Sequence, residues 1–274
     1  MNRSRLVIEA GKAEQHYWLD LWRYRELFYF LSWRDLLVRY KQTAIGVLWA
    51  VLRPVLTTAV FAFVFGRLAH MPSEGIPYPL LVFAGMLPWQ FFSSALSEAS
   101  NSLVVNANMI SKIYFPRLIV PASAIIVALG DFFISLVILA GMMIFYRIVP
   151  TWHLVFLVPL TGVAFLAAFG AGLWLAALNV EYRDFRYVVP FIVQFGMYLS
   201  PVGFTSNIVP DRWRLLYSMN PMVGVIDGFR WAITGTETLV NWSGFGVSLG
   251  FVAVITLSGL WYFRKTERAF ADVI

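Results

Sequence analysis

Ser200 to Gly235 reads SPVGFTSNIVPDRWRLLYSMNPMVGVIDGFRWAITG and lies between two long apolar segments. Ser200-Pro201 closes the run before it, and Pro210-Asp211 opens a short segment with Trp213, Leu216 and Tyr217 on one face. Asn220-Pro221 reads as an N-cap followed by proline at the first helical position, where a missing N–H removes no helical bond. Beyond it Met222, Ile226, Phe229 and Ile233 recur at helical spacing, Asp227 and Arg230 turn away from that stripe, and Gly235 follows the end. A helix of about 14 residues is ~21 Å long against a hydrocarbon core of ~30 Å, too short to span. Two short amphipathic helices joined by Asn-Pro, over about residues 205–235, make either a re-entrant lid at one mouth of a pathway or an interfacial anchor for their neighbours.

The flanking segments set the class. Apolar residues make up 59% of the 274 and charged ones 13%, about half the usual charged share of ~25%. This is the composition of an integral membrane protein with one membrane domain, and its long apolar runs make it all-α. There is no cysteine, which excludes thiol catalysis, and the three histidines, His16, His70 and His153, have no metal-ligand spacing. The opening MNRSRLVIEAGKAEQ lacks a signal-peptide core, which leaves the N-terminus in the cytoplasm.

After a polar start, YWLDLWRYRELFYFLSWRDLLVRYK carries Trp18, Trp22, Tyr29, Trp33, Leu36 and Tyr40 as a helical stripe, with cations around the rest. Aromatics on one face and cations elsewhere describe a helix lying in the membrane interface. Six spans are expected at about 45–65, interrupted by Arg53-Pro54, then 79–96, 118–146, 154–178, 188–199 with its flanks, and 245–263. Residues 1–43 form the tail and interface helix, and 44–274 the six-span domain. The topology follows from Lys and Arg. Fifteen fall on the side of the termini, five on the other, and Arg53 lies within the membrane. Both termini are therefore cytoplasmic and the hairpin extracytoplasmic. The net charge of +6 reflects this asymmetry and not nucleic-acid binding.

No G-x-x-x-x-G-K-[ST] phosphate loop occurs, so the chain does not hydrolyse ATP by that route. Asp131 is the one acid near the middle of a span, either a proton-coupling group or a buried acid bonded to a neighbouring helix. Arg53 must face protein, water or an anion. It either pairs with an internal acid, snorkels to the cytoplasm, or receives an anionic lipid head.

Tyr40-Lys41-Gln42-Thr43, Gly46, Leu48-Trp49 and Pro54 lead into the first span, and Ser200-Pro201, Pro210, Trp213 and Asn220-Pro221-Met222 to Arg230 mark the hairpin. With these motifs the chain resembles the membrane permeases of ATP-binding-cassette exporters of polysaccharides and polyol phosphates, over nearly its whole length. The family often carries an uncharged polar residue where Arg53 stands. The resemblance implies a homodimer in the bacterial inner membrane with two separate ATPase subunits, which hold the ATP and Mg, so this chain binds no cofactor of its own. The implied cargo is a lipid-linked glycan: O-antigen on undecaprenyl pyrophosphate, a capsule or a teichoic acid. The competing classes are an ATP-independent flippase or secondary transporter and a polytopic glycan-lipid enzyme.

Several residues are candidates within this frame. Arg53, Lys112 and Arg117 would receive the lipid head, and Trp89, Phe91, Phe92, Tyr198 and Phe204 would stack on sugar rings. In the link 97–117, Ile110, Ile113, Tyr114 and Phe115 would contact the ATPase. Pro210, Trp213, Asn220, Pro221, Phe229 and Arg230 would form the gate, and single cysteines at Trp213, Asn220 and Arg230 would react with an external maleimide.

Overall fold

The computed structural model describes residues 17–41, 46–182 and 184–270. Expectations for the N-terminal tail, for Gln42-Thr43 with the domain boundary beside them, and for Arg183 lie outside the described residues. The interface segment forms α1 (Tyr17–Arg23) and α2 (Arg25–Lys41). α3 (Gly46–Phe61) runs on through a wider helical turn to Leu68, and α4 (Tyr78–Val105) is followed by the single turn α5 (Ala107–Ile110). Then come α6 (Ile119–Phe145), α7 (Leu157–Glu181), α8 (Phe185–Leu199), the hairpin helices α9 (Asp211–Tyr217) and α10 (Pro221–Thr234), and α11 (Trp242–Thr266). Among the described residues every regular element is helical.

Five segments are long and apolar enough to cross a membrane: Leu48–Leu68, Tyr78–Val105, Ile119–Phe145, Trp152–Glu181 and Trp242–Thr266. The chain is a multi-pass membrane protein. α8 is apolar but has 15 residues, or ~22 Å, short of the ~30 Å core. It stops at Leu199 because Pro201 pushes Ser200 into the extended region. Arg53-Pro54 does not interrupt α3 as expected. Breaking the helix there would strand several backbone groups in an apolar setting, whereas proline removes one N–H. α4 also continues past the expected end at Leu96 to Val105, carrying the first part of the polar link with it.

α4 is the central helix, packed against α6, α7, α10 and α3, and α7 packs closely on α11. At one end a second apolar cluster joins α1 and α2 to the link after α4 and to the end of α11, through Tyr17, Leu31, Ile110, Phe115, Phe263 and Phe270. Polar contacts tie the same elements. The Tyr17 hydroxyl donates to Glu267 at 2.9 Å, the Arg264 guanidinium lies 3.9 Å from the Tyr17 ring centroid, and Arg117 donates to the Glu267 carbonyl oxygen. Burial raises the Glu267 carboxyl above its usual range, against these cations. The aromatic stripe of Trp18, Trp22, Tyr29 and Trp33 is exposed, as an interface helix requires.

The hairpin caps form as the sequence specifies. Asn220 Oδ1 accepts from the Met222 N–H at 3.0 Å, and Gly235 takes a left-handed conformation with φ of 71°. The amphipathic reading of α10 is corrected. It is enclosed by α4, α7 and α11, and the side expected to face outward is buried as well, with Arg230 at 0% and Asp227 at 4% exposure. A cysteine at 230 would be closed to maleimide from either side. α9 differs: Trp213, Leu215 and Leu216 are half exposed.

Candidate functional site

A cavity of about 650 Å³ lies between α3, α4, α6 and α8, with the end of α2 at its edge. Its walls follow from helical spacing. α4 contributes Gln90, Ser93, Ser94 and Ser97, which recur at i, i+3, i+4 and i+7 and are part-exposed on a helix otherwise largely buried. α3 contributes Trp49, Arg53 and Thr57, one turn apart. α8 adds Gln194 and Met197, and α6 adds Asp131 and Phe132.

Asp131 accounts for one end of the cavity. The Tyr40 hydroxyl donates to its Oδ1 at 2.6 Å, and Arg39 Nη2 lies 2.6 Å from its Oδ2. Arg39 Nη1 reaches Glu98 on α4 at 3.1 Å. Gly130 leaves the space for this contact, since a Cβ there would sit 2.8 Å from the Tyr40 hydroxyl. The acid is therefore bonded to a neighbouring helix, and that neighbour is α2. Arg39 clamps α2 onto both α6 and α4.

Arg53 does not pair with Asp131, whose oxygens meet Tyr40 and Arg39. The Arg53 side chain is exposed along the cavity, and among the described residues its guanidinium has no hydrogen-bond or ion-pair partner. Asp131→Asn keeps the shape but removes the charge that holds Arg39. With these groups about a third exposed, a loss of ~1–2 kcal/mol is expected. Hydrogen exchange should rise along α2 with little change in α10. Unchanged exchange in α2 would refute the clamp.

The other candidate residues do not converge on one site. Lys112 and Arg117 do not line the cavity, and Arg117 is engaged with Glu267. Of the five aromatics only Trp89 and Phe91 line it. Phe92 packs behind Trp89 at 5.5 Å, Tyr198 is exposed on α8, and the Phe204 carbonyl accepts from Arg230. In the link after α4, Ile113 and Tyr114 are exposed at 59% and 50%, whereas Ile110 and Phe115 are buried and anchor the turn, so they offer no contact surface. Among the described residues no group of three or more His, Asp or Glu is placed to hold a metal ion. Residue-type arguments missed the polar stripe of α4, whose signal was its 3.6-residue period within an apolar run.

Five helical segments long and apolar enough to span define a multi-pass helical membrane domain, with an unpaired Arg53 in its cavity and a buried α10. Residues 26–234 match the family described as ABC-2 type transporter, and the chain belongs to that family. It is similar to the O-antigen export system permease protein RfbA of Klebsiella pneumoniae, 25% identical over 250 residues that cover 91% of this chain and 95% of that protein. It is also similar to RfbA of Myxococcus xanthus, 27% identical over 77% of this chain and 81% of the relative. The polysialic acid transport protein KpsM of Escherichia coli is 24% identical, covering 86% and 92%.

Proposed function

We propose that this chain is the permease subunit of a polysaccharide exporter, moving a lipid-linked glycan, such as O-antigen on undecaprenyl pyrophosphate, out across the inner membrane. The observation that carries this reading is Arg53, unpaired within the candidate span Leu48–Leu68 and lining a cavity of about 650 Å³, in a chain of the ABC-2 family. A cation there is costly without an anion to receive it, and guanidinium and phosphate form strong paired hydrogen bonds. The names of the relatives support the cargo class.

The assembly is a homodimer with two ATPase subunits. α3 and α8 flank the cavity and carry exposed Leu56, Val60, Phe191 and Phe195, and a second copy covering these faces would close the cavity into a path. α8 serves as the remaining one of six spans, its shortness met by the extended Ser200-Pro201 segment beyond it. The basic end is cytoplasmic, and Ile113 and Tyr114 there meet the ATPase. α9 and α10 form a re-entrant hairpin at the outer mouth, with α10 as its fixed wall and the exposed α9 as the part free to move. An ATP-independent flippase is the competing class. Co-purification of an ATPase subunit with the tagged chain separates the two.

Arg53→Gln should lower export roughly 10-fold, the range of one charge-assisted phosphate contact, and Arg53→Glu should abolish it through repulsion. The readout is glycan reaching the cell surface at matched permease levels. Parent-level export by both variants excludes the head-group role.

A further inference from the structure

The hydrogen-bond inventory of the cavity leaves a specific set of groups over. Ser93 donates to the Gln90 carbonyl at 3.1 Å, Thr57 to the Arg53 carbonyl at 2.8 Å, and Ser135 to the Asp131 carbonyl at 2.9 Å. Tyr40 and Arg39 are held by Asp131. Among the described residues, the side chains of Gln90, Ser94, Ser97 and Gln194 have no such partner, and all four line the cavity. Each amide offers two donors and an acceptor, and each hydroxyl offers one donor and two lone pairs. Such groups between membrane-spanning helices cost free energy unless water or a ligand satisfies them.

Phosphate can use only half of what these groups offer, since it accepts from their N–H and O–H but cannot fill their lone pairs. Amide oxygens and hydroxyl lone pairs are acceptors, and a phosphate dianion has no hydrogen to give them. Sugar hydroxyls both donate and accept, so they suit amides and serines equally. The Trp49 indole, exposed on the same cavity, supplies a flat apolar face of the kind that meets the C–H face of a pyranose, while Trp89 is buried against Phe92. At about 650 Å³ the cavity lies within the ~300–1,000 Å³ range of small-molecule sites.

We infer that Gln90 and Gln194, with Ser94 and Ser97, form a saccharide subsite that reads the neutral hydroxyl-bearing sugar next to the phosphate, separately from Arg53. The inference rests on the lipid-linked reading of the cargo and adds a specificity site to it. A site built to bond hydroxyls rejects a ligand lacking them, because its own polar groups are then left unsatisfied. The cavity therefore discriminates glycosylated carrier from bare carrier before translocation, and would keep the exporter from cycling on empty lipid.

The test uses the full-length permease in nanodiscs and a short polyprenyl pyrophosphate in three forms: bare, N-acetylglucosaminyl and galactosyl. Binding is followed by native mass spectrometry competition. At least one glycosyl form should bind the parent protein ~10-fold or more tightly than the bare lipid. Gln90→Leu/Gln194→Leu, close in volume, should erase that preference and leave the affinity for bare lipid within about two-fold. Arg53→Gln should weaken all forms alike and keep the ratio. A parent protein that binds bare and glycosyl lipids equally overturns the sugar subsite and leaves the lipid reading standing. Failure to bind any of the three overturns both. A glycosyl preference that survives in the double Leu variant, with its melting midpoint unchanged, places recognition elsewhere and overturns the assignment.

Discussion

Arg230→Met should prevent the protein from accumulating in folded form. The guanidinium is fully enclosed and donates to three backbone carbonyls: Leu81 at 3.1 Å on α4, Phe204 at 2.7 Å and Val202 at 2.9 Å. Those carbonyls belong to the central helix and to the non-helical segment after α8, whose backbone has no ladder of its own. Arg230 therefore satisfies the Val202 and Phe204 carbonyls, which would otherwise be orphaned inside the bundle, and ties them to α4 through Leu81. Asp227, 3.9 Å away and also buried, would lose its ion-pair partner. Removing one partner of a buried pair costs ~3–5 kcal/mol, a large share of the ~5–15 kcal/mol by which proteins are stable. Size-exclusion profiles in mild detergent should show aggregate or no protein. Asp227→Asn, which keeps the arginine and its three carbonyl bonds, should be milder. A monodisperse Arg230→Met protein with the parent melting midpoint would show that water replaces the guanidinium, and the staple would be rejected.

Gly259→Leu should separate α7 from α11. The two helices touch backbone to backbone: a Cβ added at Gly170 would lie 2.5 Å from the Thr256 Cα, and one at Gly259 would press on the Gly170 carbonyl. Small residues allow this approach, and in a bilayer close packing takes over much of what the hydrophobic effect does in water. The near contact is used by Thr256 Oγ1, whose single hydrogen is shared between the Val252 carbonyl at 2.8 Å and the Leu166 carbonyl across the seam at 3.0 Å, and by the Trp174 indole, which donates to Ser258 at 3.1 Å and stacks on Tyr262. Backbone cannot yield as a side chain can, so a cost of ~3 kcal/mol or more is expected. Gly250→Ala on the same helix meets open space and should be close to neutral. Thermal midpoints of the two variants, measured side by side, decide it. Equal midpoints would mean that the helices do not pack so closely in the bilayer.

Much of this protein was legible in its sequence because the bilayer imposes a local rule. Each span must satisfy its own backbone, so a long apolar run reads as a helix wherever it sits. The caps of α10 were legible for a similar reason, since Asn220-Pro221 and Gly235 act on groups within a few residues of themselves. Four residues of the aromatic stripe, Trp18, Trp22, Tyr29 and Trp33, are exposed, whereas Leu36 and Tyr40 are part-buried, Tyr40 against Asp131. The family resemblance rested on the same local motifs, and the family match covers residues 26–234.

What the sequence could not settle was the environment of its charges. Arg230 and Asp227 interrupt an apolar stripe, which in a surface helix means water. Here it means enclosure, because α4 and the non-helical segment after α8 close over α10 on the side that the helical period assigned to solvent. Asp131 and Arg39 are 92 positions apart, and only packing brings α2 across α6 so that they meet. That pairing in turn leaves Arg53 unpaired in the cavity. Composition and periodicity determined which segments are helical and membrane-embedded, since hydrophobicity and backbone satisfaction act residue by residue. The tertiary structure alone decided which polar groups staple the bundle and which are left for a ligand, since a buried charge takes its meaning from partners that distant segments supply.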